Sequence, residues 1–309
     1  MTRNFISYED VADRVDWGDV MRALEEGHHR PKAQLGDLFL GPAEATLLTR
    51  SAFIEGLGYG TKSVTVMAGN AARGLPSIQG AMMVYDPDTG ALTGVIDSKL
   101  VTECKTAGDS ILGARLLARP DSAKLLIVGA GVLAHGLVRA YAAAFPALEE
   151  IAIWARRPEQ AAALVEGLSE LPVPLRVADD LASAVGAADI VSTATMAREP
   201  VIQGDWLRPG THLDLIGAFK ADMREADDTA LGRGRLFVDS RDTTLDHIGE
   251  LKIPLASGAI NRDDVLGDLY DLVPGRVEGR VSDTDITIYK NGGGAHLDLM
   301  TAAYLTSLV

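Results

Sequence analysis

The run Gly129-Ala130-Gly131-Val132-Leu133-Ala134 follows the apolar segment KLLIV and opens the helix-like VLAHGLVRAYAAAF, giving a G-x-G-x-x-A at a strand-turn-helix junction. Glycines there allow a tight turn and bring backbone close to a pyrophosphate, whose charge rests on the helix N-terminus. Gly129, Gly131, Val132 and Ala134 are therefore read as a dinucleotide cradle. The next strand-like run, EIAIWA, leads into Arg156 and Arg157 and not into the carboxylate that would hold the ribose hydroxyls of NAD. Two guanidinium groups suit a 2′-phosphate, so NADP(H) is expected as the preferred cofactor and NAD(H) as the second. Ser192-Thr193-Ala194-Thr195 after ADIV and Gly217-Ala218 after THLDLI are small residues at strand ends. A doubly wound sheet opens to its ligand at such ends, which adds Thr193, Ala194, Thr195, Gly217 and Ala218 to the cofactor set.

A second group of residues breaks the binary pattern. In GTKSVTV a period of two places Lys62 on one face with Val64 and Val66. Helical spacing aligns Lys105 with Val101, Gly108 and Leu112. A lysine on an apolar face needs an anionic partner or a shifted pKa. Each alone is more readily a snorkelling or ion-paired lysine, but two in one domain are candidate substrate ligands, and Arg50, in register with Leu48 and Ala52, is a third and weaker one. Asp222, Arg224 and Glu225 in KADMREAD read as a charged loop or helix start. The six histidines show neither H-x-x-x-H nor H-x-H spacing and the single Cys104 excludes a cysteine-based zinc site, so no metal is expected. There is no G-x-S-x-G elbow and no Walker loop.

These residues need a scaffold. Val11, Val15, Val20, Met21 and Leu24 recur at helical spacing, with Ser7 and Asp10 placed as a cap and its reciprocal acid, so the first ~30 residues predict two short helices. From Thr46 to Ser98, short apolar runs separated by turns predict an antiparallel sheet, with Asp86-Pro87-Asp88-Thr89-Gly90 as its clearest hairpin. Lys99 to Arg119 reads as a helix that stops before Pro120. From Lys124 on, KLLIVGAG, EIAIWA, PLRVAD, ADIVSTAT, THLDLIGA and RLFVDS alternate with helical or turn material, the pattern of a parallel, doubly wound Rossmann sheet. AHLDLMTAAYLTSLV closes the chain as an apolar helix, expected to pack back on the first sheet. The fold class is thus α/β: a Rossmann domain over residues 119–290 and an α+β substrate-binding domain made of 1–118 with 291–309.

The 309 residues carry 29 Lys+Arg against 43 Asp+Glu, a net charge of −14, with 47% hydrophobic residues. An acidic chain without a basic run lacks the footprint for nucleic acid or an anionic membrane. No stretch reaches the ~20 apolar residues of a membrane span. The lone cysteine and the acidic N-terminal stretch without an apolar core point to the cytoplasm.

GTKSVTV, GLPSIQGAMMVYDPDTG, LVTECKTAGDSILGARLLAR, LLIVGAGVLA, IWARRPE, DIVSTAT, EPVIQGDWLRPGTHLDLIGAFKADMREAD and DITIYKNGGGAHLD, in this order, resemble the ornithine cyclodeaminase and mu-crystallin family over nearly the whole chain. The resemblance implies a homodimer formed through the substrate domain, and chemistry at a carbon-nitrogen double bond beside a carboxylate, driven by a nicotinamide cofactor. It gives Lys62 the role of a catalytic residue that contacts the substrate carboxylate, and Gln79 that of a polar pocket residue on the following strand. Lys105 stands where the family usually has arginine, which keeps the charge but loses the bidentate fork. Phe219 follows Gly217-Ala218 where the cyclodeaminases and related alanine dehydrogenases carry a catalytic aspartate. That difference favours the family's ketimine reductases. The expected reaction is reduction of a small cyclic imino acid, Δ1-pyrroline-2-carboxylate or Δ1-piperideine-2-carboxylate, to L-proline or L-pipecolate, within proline metabolism. The alternatives are an ornithine cyclodeaminase, an open-chain amino acid dehydrogenase, or an NADP-dependent small-molecule binding protein of the crystallin type.

Overall fold

A computed structural model describes residues 5–309. Its contacts divide the chain into two units: residues up to Gly108 together with Gly294–Val309, and Asp109–Gly293. No helix among the described residues is long and apolar enough to cross a membrane.

The first unit runs β1 (Phe5–Ile6), α1 (Tyr8–Val11), α2 (Trp17–His28), β2 (Gln34–Leu40), β3 (Ala45–Ile54), β4 (Gly58–Met67), β5 (Ile78–Tyr85), β6 (Leu92–Asp97) and the start of α3 (Ser98–Leu117). The strands form one sheet in the order β1-β6-β5-β4-β3-β2, antiparallel except for β1 on β6. Ser7 and Asp10 form the expected capping box of α1, and Asp16 caps α2 through the Asp19 N–H at 2.9 Å. The hairpin between β5 and β6 is built by Asp86, whose Oδ1 accepts from the N–H groups of Asp88 and Thr89 and from the Thr89 hydroxyl. Gly90 completes the turn at φ +69°, where a side chain would be strained.

The C-terminal helix, Ala295–Ser307, lies on β2 through β6 and beside α2, as its apolar sequence predicts. It buries Leu297, Leu299, Met300 and Leu305, each contributing about 1.5–3 kcal/mol by leaving water. Close approach is secured by glycines: a Cβ on Gly27 would meet Met300 Sδ at 2.4 Å, and one on Gly60 would meet Leu299 Cδ1 at 2.9 Å. The sheet begins earlier than the pattern from Thr46 indicates. β2 is exposed along its whole length and interrupted by Gly36, so it shows no alternation and is defined by its backbone pairing with β3.

The second unit continues with β7 (Lys124–Val128), α4 (Val132–Ala144), β8 (Glu150–Trp154), α5 (Pro158–Gly167), β9 (Leu175–Val177), α6 (Leu181–Ala187), β10 (Ile190–Thr193), β11 (His212–Leu215), α7 (Asp228–Arg233), β12 (Arg235–Val238), α8 (Arg241–Thr244), α9 (Gly249–Ser257), β13 (Val265–Gly267), α10 (Leu269–Leu272) and β14 (Thr287–Lys290). Its eight strands are all parallel, in the order β13-β12-β14-β11-β10-β7-β8-β9. Leu126, Val128, Val191, Leu213, Leu215, Leu236 and Ile288 form its core. Such strands are buried on both faces and so read as continuous apolar runs. The short β13 (VLG) gives too little sequence for that signal and was not expected.

The sequence boundary at 118/119 lies at the end of α3, whereas the contacts divide within that helix. The later half of α3 is tied into the second unit: Tyr289 donates to Asp109 Oδ1 at 2.6 Å, and Asn291 Nδ2 to Ser110 Oγ at 3.0 Å. Asp214, in the middle of β11, accepts from Ser110 at 3.1 Å, Tyr141 at 2.9 Å and Ser192 at 2.7 Å, so one carboxylate pins α3, α4 and β10 to β11. Burial pushes its pKa up to about 6 against these hydrogen bonds.

A carboxylate whose folded pKa is raised contributes stability that is complete below its unfolded pKa and is lost as pH rises through the folded value. Asp214→Asn lacks this contribution, so the stability of the native protein relative to the variant falls between pH ~4 and ~6, by roughly 1.4 kcal/mol for each pH step of one. Urea unfolding of both proteins at pH ~4 and ~7 measures it; a stability difference independent of pH would contradict the assignment.

Candidate active site

In the first unit the site is a buried charge on an apolar sheet face. Along β4, buried Gly58, Gly60, Lys62 and Val64 alternate with more exposed residues, so Lys62 is inside as its spacing predicts. Its ammonium donates to Asp298 Oδ1 at 2.6 Å, with side-chain exposures of 8% and 1%, which places the pair almost wholly out of water. Oδ2 of Asp298 is buried with no hydrogen-bond partner. Arg50 is directly opposite Lys62 on β3 and therefore on the same face. It is paired with Asp37 of β2, Nε and Nη2 reaching Oδ2 at 3.0 and 2.9 Å. Lys105 is buried on α3.

His296 reports the field of this region. Burial holds its ring well below the usual imidazole range, reinforced by His28 and by the positive charges of Lys105, Arg50 and Lys32. The two histidine rings meet edge-to-face at 5.7 Å, and burial also lowers the pKa of His28, to about 4. Both imidazoles are thus neutral at physiological pH. Gln79 is not brought to the Lys62 face. It is exposed, opposite Thr65 in the β4–β5 register, while Lys62 is opposite Met82. Gln79 is offset from Met82 by three positions, an odd number, so the strand period puts it on the other face of the sheet.

In the second unit the loops after β7, β10 and β11 carry the residues expected to hold a dinucleotide. Gly129 has φ +124°, and a Cβ there would meet the Ala194 carbonyl oxygen at 2.6 Å, so no other residue fits. Gly131 is the N-cap of α4 with no side-chain cap and open space where a Cβ would stand. Val132 is exposed, and Ala134 is fully buried where α4 closes on the sheet. Uncapped N–H groups on an accessible helix end fit a dinucleotide phosphate. Arg156 and Arg157 are both exposed after β8; Arg157 N-caps α5 and donates from Nε to Gln160 Oε1 at 3.0 Å.

Thr193, Thr195, Gly217 and Ala218 have more structural commitments than their sequence positions suggest. Thr193 is buried in β10 and Ala218 is fully buried, while Ala194 is half-buried, its N–H on the Val128 carbonyl at 2.8 Å. Glu225 binds the surrounding backbone: Oε1 accepts from the Thr195 N–H at 2.8 Å and hydroxyl at 2.7 Å, and Oε2 from the Gly217 N–H at 2.6 Å. A Cβ on Gly217 would stand 2.0 Å from the Thr195 carbonyl oxygen. Behind it, Glu250 accepts from the N–H groups of Glu225 and Ala226 at 2.7 and 2.9 Å. Burial and then the charge of Glu225 push its pKa up to about 7, opposed by the fully buried Lys290.

The charged-loop reading of KADMREAD thus fails for Glu225, which is fully buried. A single carboxylate in an aperiodic loop leaves no pattern from which this could be read. Asp298 was missed although a signal exists. Ala295, Asp298, Ala302 and Leu305 follow helical spacing, and an aspartate on that apolar stripe breaks binary patterning as Lys62 does. No group of three or more metal-ligating side chains is present among the described residues.

Removing one partner of a buried ion pair costs about 3–5 kcal/mol, because the other charge is left unpaired. Lys62→Met is therefore expected to lose stability of that order, and a second change, Asp298→Leu, to restore most of it. Urea unfolding of single and double variants tests this coupling; additive losses would show that the two charges do not depend on each other.

The sequence profile of the ornithine cyclodeaminase/mu-crystallin family matches residues 39–307. The chain is 61% identical over 305 residues to the Delta(1)-pyrroline-2-carboxylate reductase of Paracoccus denitrificans, covering 99% of this chain and 96% of that one. Among solved structures, Thermococcus litoralis Delta(1)-pyrroline-2-carboxylate reductase in complex with NADH and L-proline superposes with a TM-score of 0.91 at 28% identity, covering 99% of this chain and 97% of the other. An archaeal alanine dehydrogenase dimer with bound NAD also gives a TM-score of 0.91, at 27% identity, covering 99% and 96%.

Proposed function

The chain belongs to the ornithine cyclodeaminase/mu-crystallin family, and within it we infer an NAD(P)H-dependent reductase of small cyclic imino acids, Δ1-pyrroline-2-carboxylate or Δ1-piperideine-2-carboxylate, giving L-proline or L-pipecolate. The observation that carries the reading is Lys62, a buried ammonium on an apolar sheet face in a chain of net charge −14. With Arg50 and Lys105 it supplies local positive charge for the substrate carboxylate, at a low dielectric where the interaction is strong. Lys105 contributes a point charge without arginine's fork.

Reduction of the ring requires a hydride at the imine carbon and a proton at nitrogen. Bound nicotinamide, in its reduced form, supplies the hydride. Gly129, Gly131, Val132 and Ala134 would hold its pyrophosphate, with the loops of Thr193, Ala194, Thr195, Gly217 and Ala218 shaping the approach. Lys62 Nζ gives a proton to the ring nitrogen as the carbon-nitrogen double bond becomes a single bond, and regains it from solvent. Phe219 is exposed just after Gly217-Ala218 and has no titratable group. It cannot serve the additional proton transfers of ammonia elimination, which favours simple reduction.

Arg156 and Arg157, exposed and without a carboxylate beside them at the end of β8, support a preference for NADP(H) over NAD(H). The exposed Leu35, Leu38, Phe39 and Leu40 along β2 support a homodimer closed over that edge of the sheet, the form named for the archaeal alanine dehydrogenase. A single buried cysteine suits the cytoplasm, and formation of L-proline would place the enzyme in proline metabolism.

Absorbance loss at 340 nm with either cyclic imine, and no ammonia released from ornithine, is the expected outcome; ammonia from ornithine, or inertness toward both imines, would overturn the assignment. Arg156→Ala combined with Arg157→Ala should raise KM for NADPH at least about tenfold more than KM for NADH, since each lost charge-assisted contact is worth roughly 1.5–3 kcal/mol. An equal effect on both cofactors would remove the arginines from phosphate recognition.

A further inference from the structure

We propose that Asp298 is the positioning residue for Lys62, fixing the place of its ammonium and keeping it cationic in the resting enzyme; this rests on the reductase reading above only for its consequence in turnover. The first ground is the way Asp298 is bonded. Two carboxylates that tie this fold together, Asp239 and Glu225, fill their acceptor sites with several donors. Asp239 takes the Ser240 and Gly293 N–H groups and the Thr244 hydroxyl, and Glu225 takes three donors within 2.8 Å. Asp298 has Lys62 on Oδ1 and no hydrogen-bond partner on the buried Oδ2. Its side chain is spent on the lysine alone.

The second ground is the charge around the pair. Arg50 stands opposite Lys62 on β3, balanced by Asp37 of β2. Met82, opposite Lys62 on β5, carries no charge. Lys105 of α3, Lys32 and Arg50 all act electrostatically on His296 of the C-terminal helix, as does His28 of α2. Both histidines are neutral, so the charges acting on His296 are those of Lys105, Arg50 and Lys32. With Asp298 absent, the buried ammonium would lose the anion 2.6 Å from it, and a desolvated lysine without an opposite charge is driven to release its proton. With it present, the proton stays on Nζ until the substrate nitrogen takes it. The ion pair also restricts a four-carbon side chain to one orientation.

Lysine labelled with 13C at Cε allows the Lys62 signal to be identified by its loss in Lys62→Arg and titrated without any substrate. In Asp298→Asn that signal should change from ammonium to amine at a pH at least about one unit lower than in the native protein; titration at the same pH would overturn the proposal. On a cyclic imine, the alkaline limb of kcat in Asp298→Asn should move down in parallel. Asp298→Glu retains the charge and is the variant to use should the amide variant not fold. Its Lys62 should stay cationic while kcat falls about tenfold with KM less affected, since a misplaced group costs transition-state contact. Unchanged kcat in Asp298→Glu would refute positioning. A native enzyme inert toward all cyclic imines would sink the reductase reading, and the Lys62 titration would still decide the role of Asp298.

Discussion

The cofactor side of the structure depends on a carboxylate that has no water to turn to. Glu225 is fully buried, and it satisfies its lone pairs with backbone N–H groups from the loops after β10 and β11. Those loops must lie open at the strand ends to receive a ligand, so they cannot be held by the ladder itself. One anion between them supplies the missing attachment, and Gly217 is required because any side chain would collide with Thr195 or with Glu225 itself. The arrangement needs further support, since Glu225 and Glu250 are like charges in one dry region. Burial and this repulsion raise the pKa of Glu250 to about 7, and Lys290, buried with its ammonium on the Leu215 and Asn291 carbonyls, offsets the pair.

The substrate side handles buried charge in the opposite way. A structural pair would be expected to complete its hydrogen bonds, because an unfilled buried acceptor costs about 1–3 kcal/mol. The Lys62–Asp298 pair leaves Oδ2 unfilled. Replacement by well-packed apolar residues often stabilises such a pair's host, so stability alone gives no reason for charge here. On the proposed reading, the free energy given up is the cost of holding an ammonium in an apolar face.

Much of this could be read from sequence, for a physical reason. Parallel strands are buried on both faces, so β7, β8, β10, β11 and β12 show as apolar runs, and the Gly129 turn follows from the single conformation its backbone must adopt. Lys62 was legible because a strand has period two and a charge on the inner face stands out. β2 was not, because an exposed edge strand has no inner face to mark; its identity comes from backbone pairing with β3. Glu225 lies in a loop with no period at all, and its donors come from two separate loops, at Thr195 and at Gly217. Gln79 illustrates the limit of carrying a role over by position: the family resemblance implies a pocket residue there, yet its offset from Met82 along β5 sends it to the opposite face.

The overall charge of the molecule raises a last question, since both the substrate carboxylate and a dinucleotide pyrophosphate are anions and the chain carries −14. At physiological ionic strength the Debye length is ~8 Å, so most of that surface charge is screened before it reaches a ligand. Charges removed from water are screened far less, and their attraction at short range is correspondingly larger. A few cations in dry positions can therefore outweigh many solvated carboxylates. Lys62 and Lys105 are buried, and the cofactor cradle presents uncapped N–H groups at the start of α4, not a cluster of surface lysines. On the proposed reading, affinity for anions is placed where desolvation makes it local, which leaves the rest of the surface free to be acidic.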